Sequence, residues 1–244
     1  MTEAEWRHYQ ADINRQLLED SAASSHGSLF DPRSVVRSGM SGIEGSTLMG
    51  SRGGRSIVPH GTREDDRDLA QCFDFTKRAE DAWRLSVAEA KEELLEKVEE
   101  NQVVVVSGPT GCGKSTQVPQ FILDKHAREK KRVNILVTQP RKIAASSLAK
   151  RVCKERGWEL GGLVGYQVGL DKAHKTPDTR LLYVTTGILK RMLIAKKHMN
   201  EWTHIILDEV HEREEDMDLV MLICKKLLLT NSRGTKVSPG CSCH

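Results

Sequence analysis

Residues 103–116 read VVVVSGPTGCGKST. Four β-branched residues run straight into a loop with glycines at 108, 111 and 113, and a helical pattern begins at the lysine. β-Branched runs suit a pleated strand, whereas a Gly-rich segment breaks it. A glycine, four further residues, then Gly113, Lys114 and Ser115, set between a strand and a helix, make the context of a phosphate-binding loop. Glycines let backbone N–H groups come close to phosphate oxygens, and the helix N-terminus adds positive potential. In such a loop the lysine reaches the β and γ phosphates of a nucleotide and the hydroxyl after it binds Mg²⁺. Gly108, Pro109, Thr110, Gly111, Cys112, Gly113, Lys114, Ser115 and Thr116 are therefore candidate ATP-binding residues, with Lys114 also catalytic and Ser115 also a metal ligand. Cys112 reads as a small filler rather than a reactive thiol.

Downstream, apolar runs at 102–106, 133–138, 181–185 and 204–207 alternate with helical patterns starting near 114, 141, 187 and 214. This alternation predicts an α/β fold, a parallel sheet covered by helices on both faces. Ligands of such sheets bind beyond the C-terminal ends of the strands. Asp208 and Glu209 follow the run HIIL at 204–207, so they sit at such an end. Two acids there could simply open a helix. Paired with a phosphate loop, they instead point to Asp208 as a Mg²⁺ ligand and Glu209 as the group that orients or deprotonates the attacking water. Pro119 falls close enough to the start of its helix to be tolerated.

Composition restricts the remaining possibilities. The chain has 244 residues, 38% hydrophobic and 29% charged, with a net charge of +3, so any nucleic-acid surface has to be local. Six scattered cysteines in a chain of this size predict free thiols in a reducing cytoplasm. The N-terminus carries Glu3, Glu5, Arg7 and Asp12 in place of an apolar segment, and the run Leu219 to Cys224 is too short to cross a bilayer. No membrane association is expected. Trp6, Tyr9, Ile13 and Leu17 have helical spacing, residues 21–62 are rich in Ser and Gly and predict disorder, and Trp83, Val87, Ala90, Leu94 and Val98 form one stripe on a helix ending near Asn101. The expected organisation is a largely disordered region at 1–75, the nucleotide-binding domain at 76–232, and a tail at 233–244.

GPTGCGKSTQVPQFIL (108–123), TQPRKIAA (138–145), VTTGIL (184–189) and DEVHER (208–213), in this order, resemble motifs I, Ia, Ib and II of the DEAH/DExH-box RNA helicases. The resemblance covers about residues 80–232 and implies the first of two RecA-like P-loop NTPase domains. Finer texture, in ASSLAKRVCKERGWELGGLVGYQVGLDK and MLICKKLLLTNSR, is most similar to the Tudor-domain-containing helicases of the piRNA pathway, the spindle-E type. This likeness implies single-stranded RNA and piRNA-pathway proteins as partners, and a cytoplasmic location in germ granules (nuage). Gln139, Arg141 and Lys142 match positions that grip the RNA backbone. Thr185, Thr186 and Gly187 match a motif holding the same strand, although Thr-Thr-Gly alone is also a helix N-cap. His211 matches the position joining the nucleotide site to the second domain, which completes a catalytic set with Lys114, Asp208 and Glu209.

Two departures stand against the family pattern. GTKVSPGCSCH, from residue 234 onward, replaces the family's strand and Ser-Ala-Thr motif, and the second domain with its arginines does not follow, so little RNA-stimulated hydrolysis is expected of this chain. Cys241, Cys243 and His244 lack a fourth ligand for a metal site. Gly169 stands where many members have arginine. A non-catalytic ATP- or RNA-binding isoform, another DEAH-box helicase of RNA processing, and a transporter-type ATPase are the alternatives, the last lacking its Leu-Ser-Gly-Gly-Gln signature.

Overall fold

The structure, a computed structural model, describes residues 15, 69–77, 85–169, 172–230 and 234–242. The expected N-terminal stripe at Trp6, Tyr9, Ile13 and Leu17, the Ser/Gly-rich stretch at 21–62, and Trp83, Cys243 and His244 lie outside the described residues.

Seven strands form one sheet: β1 Val106–Gly108, β2 Ile135–Gln139, β3 Val164–Val168, β4 Lys172–His174, β5 Leu181–Thr185, β6 His204–Leu207 and β7 Lys236–Ser242. Their spatial order is β1-β7-β6-β2-β5-β3-β4. Every neighbouring pair is parallel except β3 with β4. The described helices are α1 Leu69–Cys72, α2 Ser86–Glu89, α3 Lys91–Glu100, α4 Lys114–Arg128, α5 Lys142–Arg156, α6 Thr186–Lys196 and α7 Glu215–Leu229.

Side chains alternate across the pleat, and the core divides accordingly. Ile135, Val137, Leu181 and Tyr183 join α2 to α5 in one cluster, whereas Leu136, Leu182, Val184 and Ile205 join α6 and α7 in the other. β2, β5 and β6 are buried along their whole length. Burial on both faces explains why these three strands read as continuous apolar runs.

Three findings depart from the sequence reading. The helix expected to end near Asn101 is broken at Ala90 (φ −87°, ψ 7°), and the chain buries Val87, Leu95 and Val98 while Ala90 is exposed. β3 and β4 carry no long apolar run; at Gly165 a Cβ would come within 2.3 Å of the His174 carbonyl oxygen, so the two backbones approach too closely for a side chain. Most consequential is the segment 236–242, set apart in sequence as a tail, which forms β7 between β1 and β6. Val237 is buried, its N–H donates to Gln102 O (2.8 Å), and the Thr235 hydroxyl donates to Met199 O and Trp202 O (both 3.0 Å).

Candidate active site

The loop after β1 turns into α4 through Gly111 (φ +81°) and Gly113 (φ +101°), a left-handed conformation that non-glycine residues rarely adopt. At Gly113 a Cβ would also meet Leu85 Cδ1 at 2.9 Å and Val87 Cγ1 at 3.0 Å. Around Gly111 a Cβ would find no atom within 4 Å, so Gly111 is required by its backbone conformation and not by crowding. Lys114 is 8% exposed; its ammonium donates to Gly108 O (2.7 Å) and Pro109 O (2.9 Å) and lies 3.6 Å from the Cys112 sulfur. Neutral carbonyls satisfy its protons while leaving its charge unbalanced, which suits an anion over the loop. Cys112 is buried against this lysine.

Thr110, Gly111, Gly113, Lys114, Ser115 and Thr116 line a cleft of about 140 Å³, and Glu209 forms part of its wall. Chain segments nearly a hundred residues apart thus share one cavity. Glu209 has φ +56°, unusual for a residue with a side chain and costly by about 1–3 kcal/mol. Burial first, then the neighbouring Asp208 charge, raise its pKa above the ordinary glutamate value; the charges of His211 and Lys114 work the other way. His211 Nδ1 lies 3.3 Å from the Glu209 carboxylate.

Asp208 is 2% exposed and held on every side. Glu209 N–H donates to Oδ1 (3.1 Å), the Gln139 amide donates to Oδ2, and the Asp208 N–H donates to the Thr138 hydroxyl (3.3 Å). These donors are neutral. β7 passes so close that a Cβ at Gly240 would sit 3.1 Å from Asp208 Oδ1.

Residues 88–235 match the DEAD/DEAH box helicase family. The chain belongs to that family. Over 169 residues, 69% of the chain, it is 53% identical to the probable ATP-dependent RNA helicase spindle-E of Aedes aegypti. Over 153 residues, 63% of the chain, it is 54% identical to the ATP-dependent RNA helicase TDRD9 of Mus musculus. The matched part is 12% of the mosquito protein and 11% of the mouse protein, so the chain spans only a small part of the length of the relatives it matches. No helix among the described residues is long and apolar enough to cross a membrane.

In this helicase domain the remaining motif residues follow two neighbouring strands at equal height, since Gln139 of β2 pairs in register with Thr185 of β5. Arg141 is exposed and lies 3.5 Å from Glu212, and Lys142 opens α5 at the surface. Gln139 differs from these two. It is 3% exposed, and its amide is engaged with Asp208 instead of facing a nucleic acid. Thr185 and Thr186 are also buried, at 9% and 2% exposure, and the Thr186 hydroxyl has no hydrogen-bond partner among the described residues. Thr185 occupies the N-cap position of α6 without a side-chain capping bond, and a Cβ at Gly187 would meet Asp216 at 3.2 Å. Gly169, where many family members have arginine, has φ +74°, a conformation costly for any residue with a side chain.

Proposed function

We propose that this chain carries the nucleotide-binding half of an ATP-dependent RNA helicase motor. It binds ATP·Mg²⁺ through the loop 108–116, uses Glu209 as the base toward water, and places RNA along the rim that follows β2 and β5. The observation that carries this reading is the shared cleft, whose lining includes both the buried Lys114 and the strained, partly buried Glu209.

The residues fit a Mg²⁺ ion. Mg²⁺ is typically bound through one or two carboxylates together with substrate phosphates, without an all-protein cage. The buried Asp208 carboxylate, reached by neutral donors, and the Ser115 hydroxyl suit that role, and no cluster of three His, Cys, Asp or Glu ligands occurs among the described residues. When bound, the ion would neutralise phosphate charge. Lys114 and the loop N–H groups hold the phosphate oxygens. Glu209, its carboxyl raised in pKa by burial, is a stronger base than an exposed glutamate and takes the proton of the attacking water. Arg141 and Lys142 supply cations for the RNA backbone, a sequence-independent contact. His211, beside Glu209, joins this site to the motor's second domain. The likeness to spindle-E and TDRD9 supports a role in piRNA-mediated transposon silencing, with germ granules of the cytoplasm as the location.

Replacing Lys114 tests the reading. Lys114→Ala removes the side-chain cation of the loop, so affinity for a fluorescent ATP analogue should fall at least tenfold. Equal affinity of wild type and variant would refute the assignment.

A further inference from the structure

We propose that Gln139 is a positioning residue that holds Asp208 for the metal-bound nucleotide and couples it to Arg141 on the rim. The inference rests on the nucleotide-site reading above and adds a link that the family likeness places elsewhere, since there Gln139 stands among the RNA contacts.

β2 and β6 run parallel in register, Thr138 opposite Leu207, so the next residues of each strand, Gln139 and Asp208, meet at the sheet's C-terminal edge. The two side chains meet in a buried place, 3% and 2% exposed, where the carboxylate can accept only from donors that the protein supplies. Gln139 provides the donor at Oδ2, the Glu209 N–H provides the one at Oδ1, and Thr138 anchors the Asp208 backbone. The rotamer of Asp208 is fixed from both ends. Partners outside a metal's own ligands act in this way, orienting the ligand and tuning its affinity.

A second tie lies two residues further along the same loop. Arg141 and Glu212 pair at 3.5 Å, and Arg141 is 77% exposed, so an incoming phosphate can take it from Glu212. Pro140 joins the two ties, and its ring fixes φ at the residue between them. Movement of Arg141 toward RNA therefore bears on Gln139 and, through its amide, on Asp208. The glutamine is the mechanical connection between RNA on the rim and the acid of the nucleotide site.

The test uses Gln139→Leu and Gln139→Met, which remove the donor at nearly constant volume. A fluorescent ADP analogue is titrated in excess Mg²⁺ and again in EDTA, each with and without a single-stranded oligouridylate. The expectation is about tenfold weaker binding in Mg²⁺ and a change of less than twofold in EDTA. Oligouridylate is expected to change Mg²⁺-dependent affinity in wild type, and that effect should be lost in the variants while their affinity for oligouridylate itself is unchanged; no effect in wild type would overturn the coupling. Equal weakening in Mg²⁺ and EDTA would mean a general structural role and overturn the proposal, as would wild-type behaviour in Mg²⁺. If one variant fails to fold, the other decides. Loss of oligouridylate binding in a variant that folds would return Gln139 to direct RNA contact. Lys114→Ala separates the two readings: if it weakens binding in both conditions while Gln139→Leu leaves binding unchanged in Mg²⁺, the nucleotide site stands and the coupling falls.

Discussion

Glu209 combines a backbone that side chains avoid, partial burial and a like-charged neighbour, three costs in one residue. Such costs persist where the surroundings over-determine the conformation, and here burial first and then the Asp208 charge raise the carboxyl's pKa. Activity requires the ionised form, so ATP turnover should rise with pH along a limb centred above the ordinary glutamate value of 4.5. Glu209→Gln keeps the size and loses the base. We expect turnover to fall about 10²- to 10⁴-fold with nucleotide affinity retained, read from steady-state rates beside equilibrium titration. A limb at the usual carboxylate pKa, or a variant with full turnover, would remove Glu209 from the role of base.

Pro119 poses a problem for a whole element, because α4 runs unbroken from Lys114 to Arg128 with the proline inside it. Lacking an N–H, Pro119 leaves the carbonyl four residues earlier, that of Ser115, without its helical donor. The hydroxyl of Tyr183 on β5 donates to Ser115 O at 2.9 Å and supplies what the helix cannot. This bond fixes the first turn of α4, where the candidate metal ligand sits, to the strand that leads to Thr185. Tyr183→Phe should cost about 1–3 kcal/mol, the penalty for a buried acceptor without a donor, measured as a lower denaturant midpoint at constant slope. Pro119→Ala in that background restores an N–H and should recover part of the loss; strictly additive effects would break the link between the two residues. At its far end α4 is held by a buried pair, Asp124 with Arg156 of α5 (2.7 Å), whose guanidinium also lies 5.1 Å from the Trp158 ring.

The sheet as a whole closes through β7, and its packing has a consequence in acid. His204 of β6, paired in register with Lys236 of β7, is buried edge-on to His126 of α4 at 5.1 Å. Burial first, then the charges of His126 and Lys236, lower the His204 pKa to about 3 from an ordinary value of 6.5. A histidine whose folded pKa is depressed takes its proton in the unfolded chain first. Its contribution to stability is therefore complete above pH 6.5 and lost progressively as pH falls toward 3, by up to about 1.4 kcal/mol per pH unit. Burial lowers the His126 pKa too and adds to the same trend. Urea unfolding of wild type and His204→Asn between pH 7.5 and 5 should show a shallower loss in the variant. Parallel losses would mean that His204 titrates normally in the folded protein.

Much of this was legible along the chain because it depends on local spacing. A β-branched run, glycines at 108, 111 and 113 and a lysine specify the loop wherever it is placed, and doubly buried strands announce themselves as the apolar runs of β2, β5 and β6. Adjacent acids after HIIL were equally plain. What the tertiary structure decided is which groups meet across strands. Gln139 reads as a polar rim residue until β2 lies beside β6 and Asp208 claims its amide. Thr186 reads as a hydroxyl for RNA until β5 and α6 bury it. The segment 236–242 reads as a tail because it departs from the family pattern, and Pro239 and Gly240 are turn residues by local preference. It is a strand because β1 and β6 leave a gap between them whose edges offer unpaired N–H and C=O groups on both sides. Local preference amounts to about 1 kcal/mol per residue, and a two-sided ladder that also buries Val237 outweighs it.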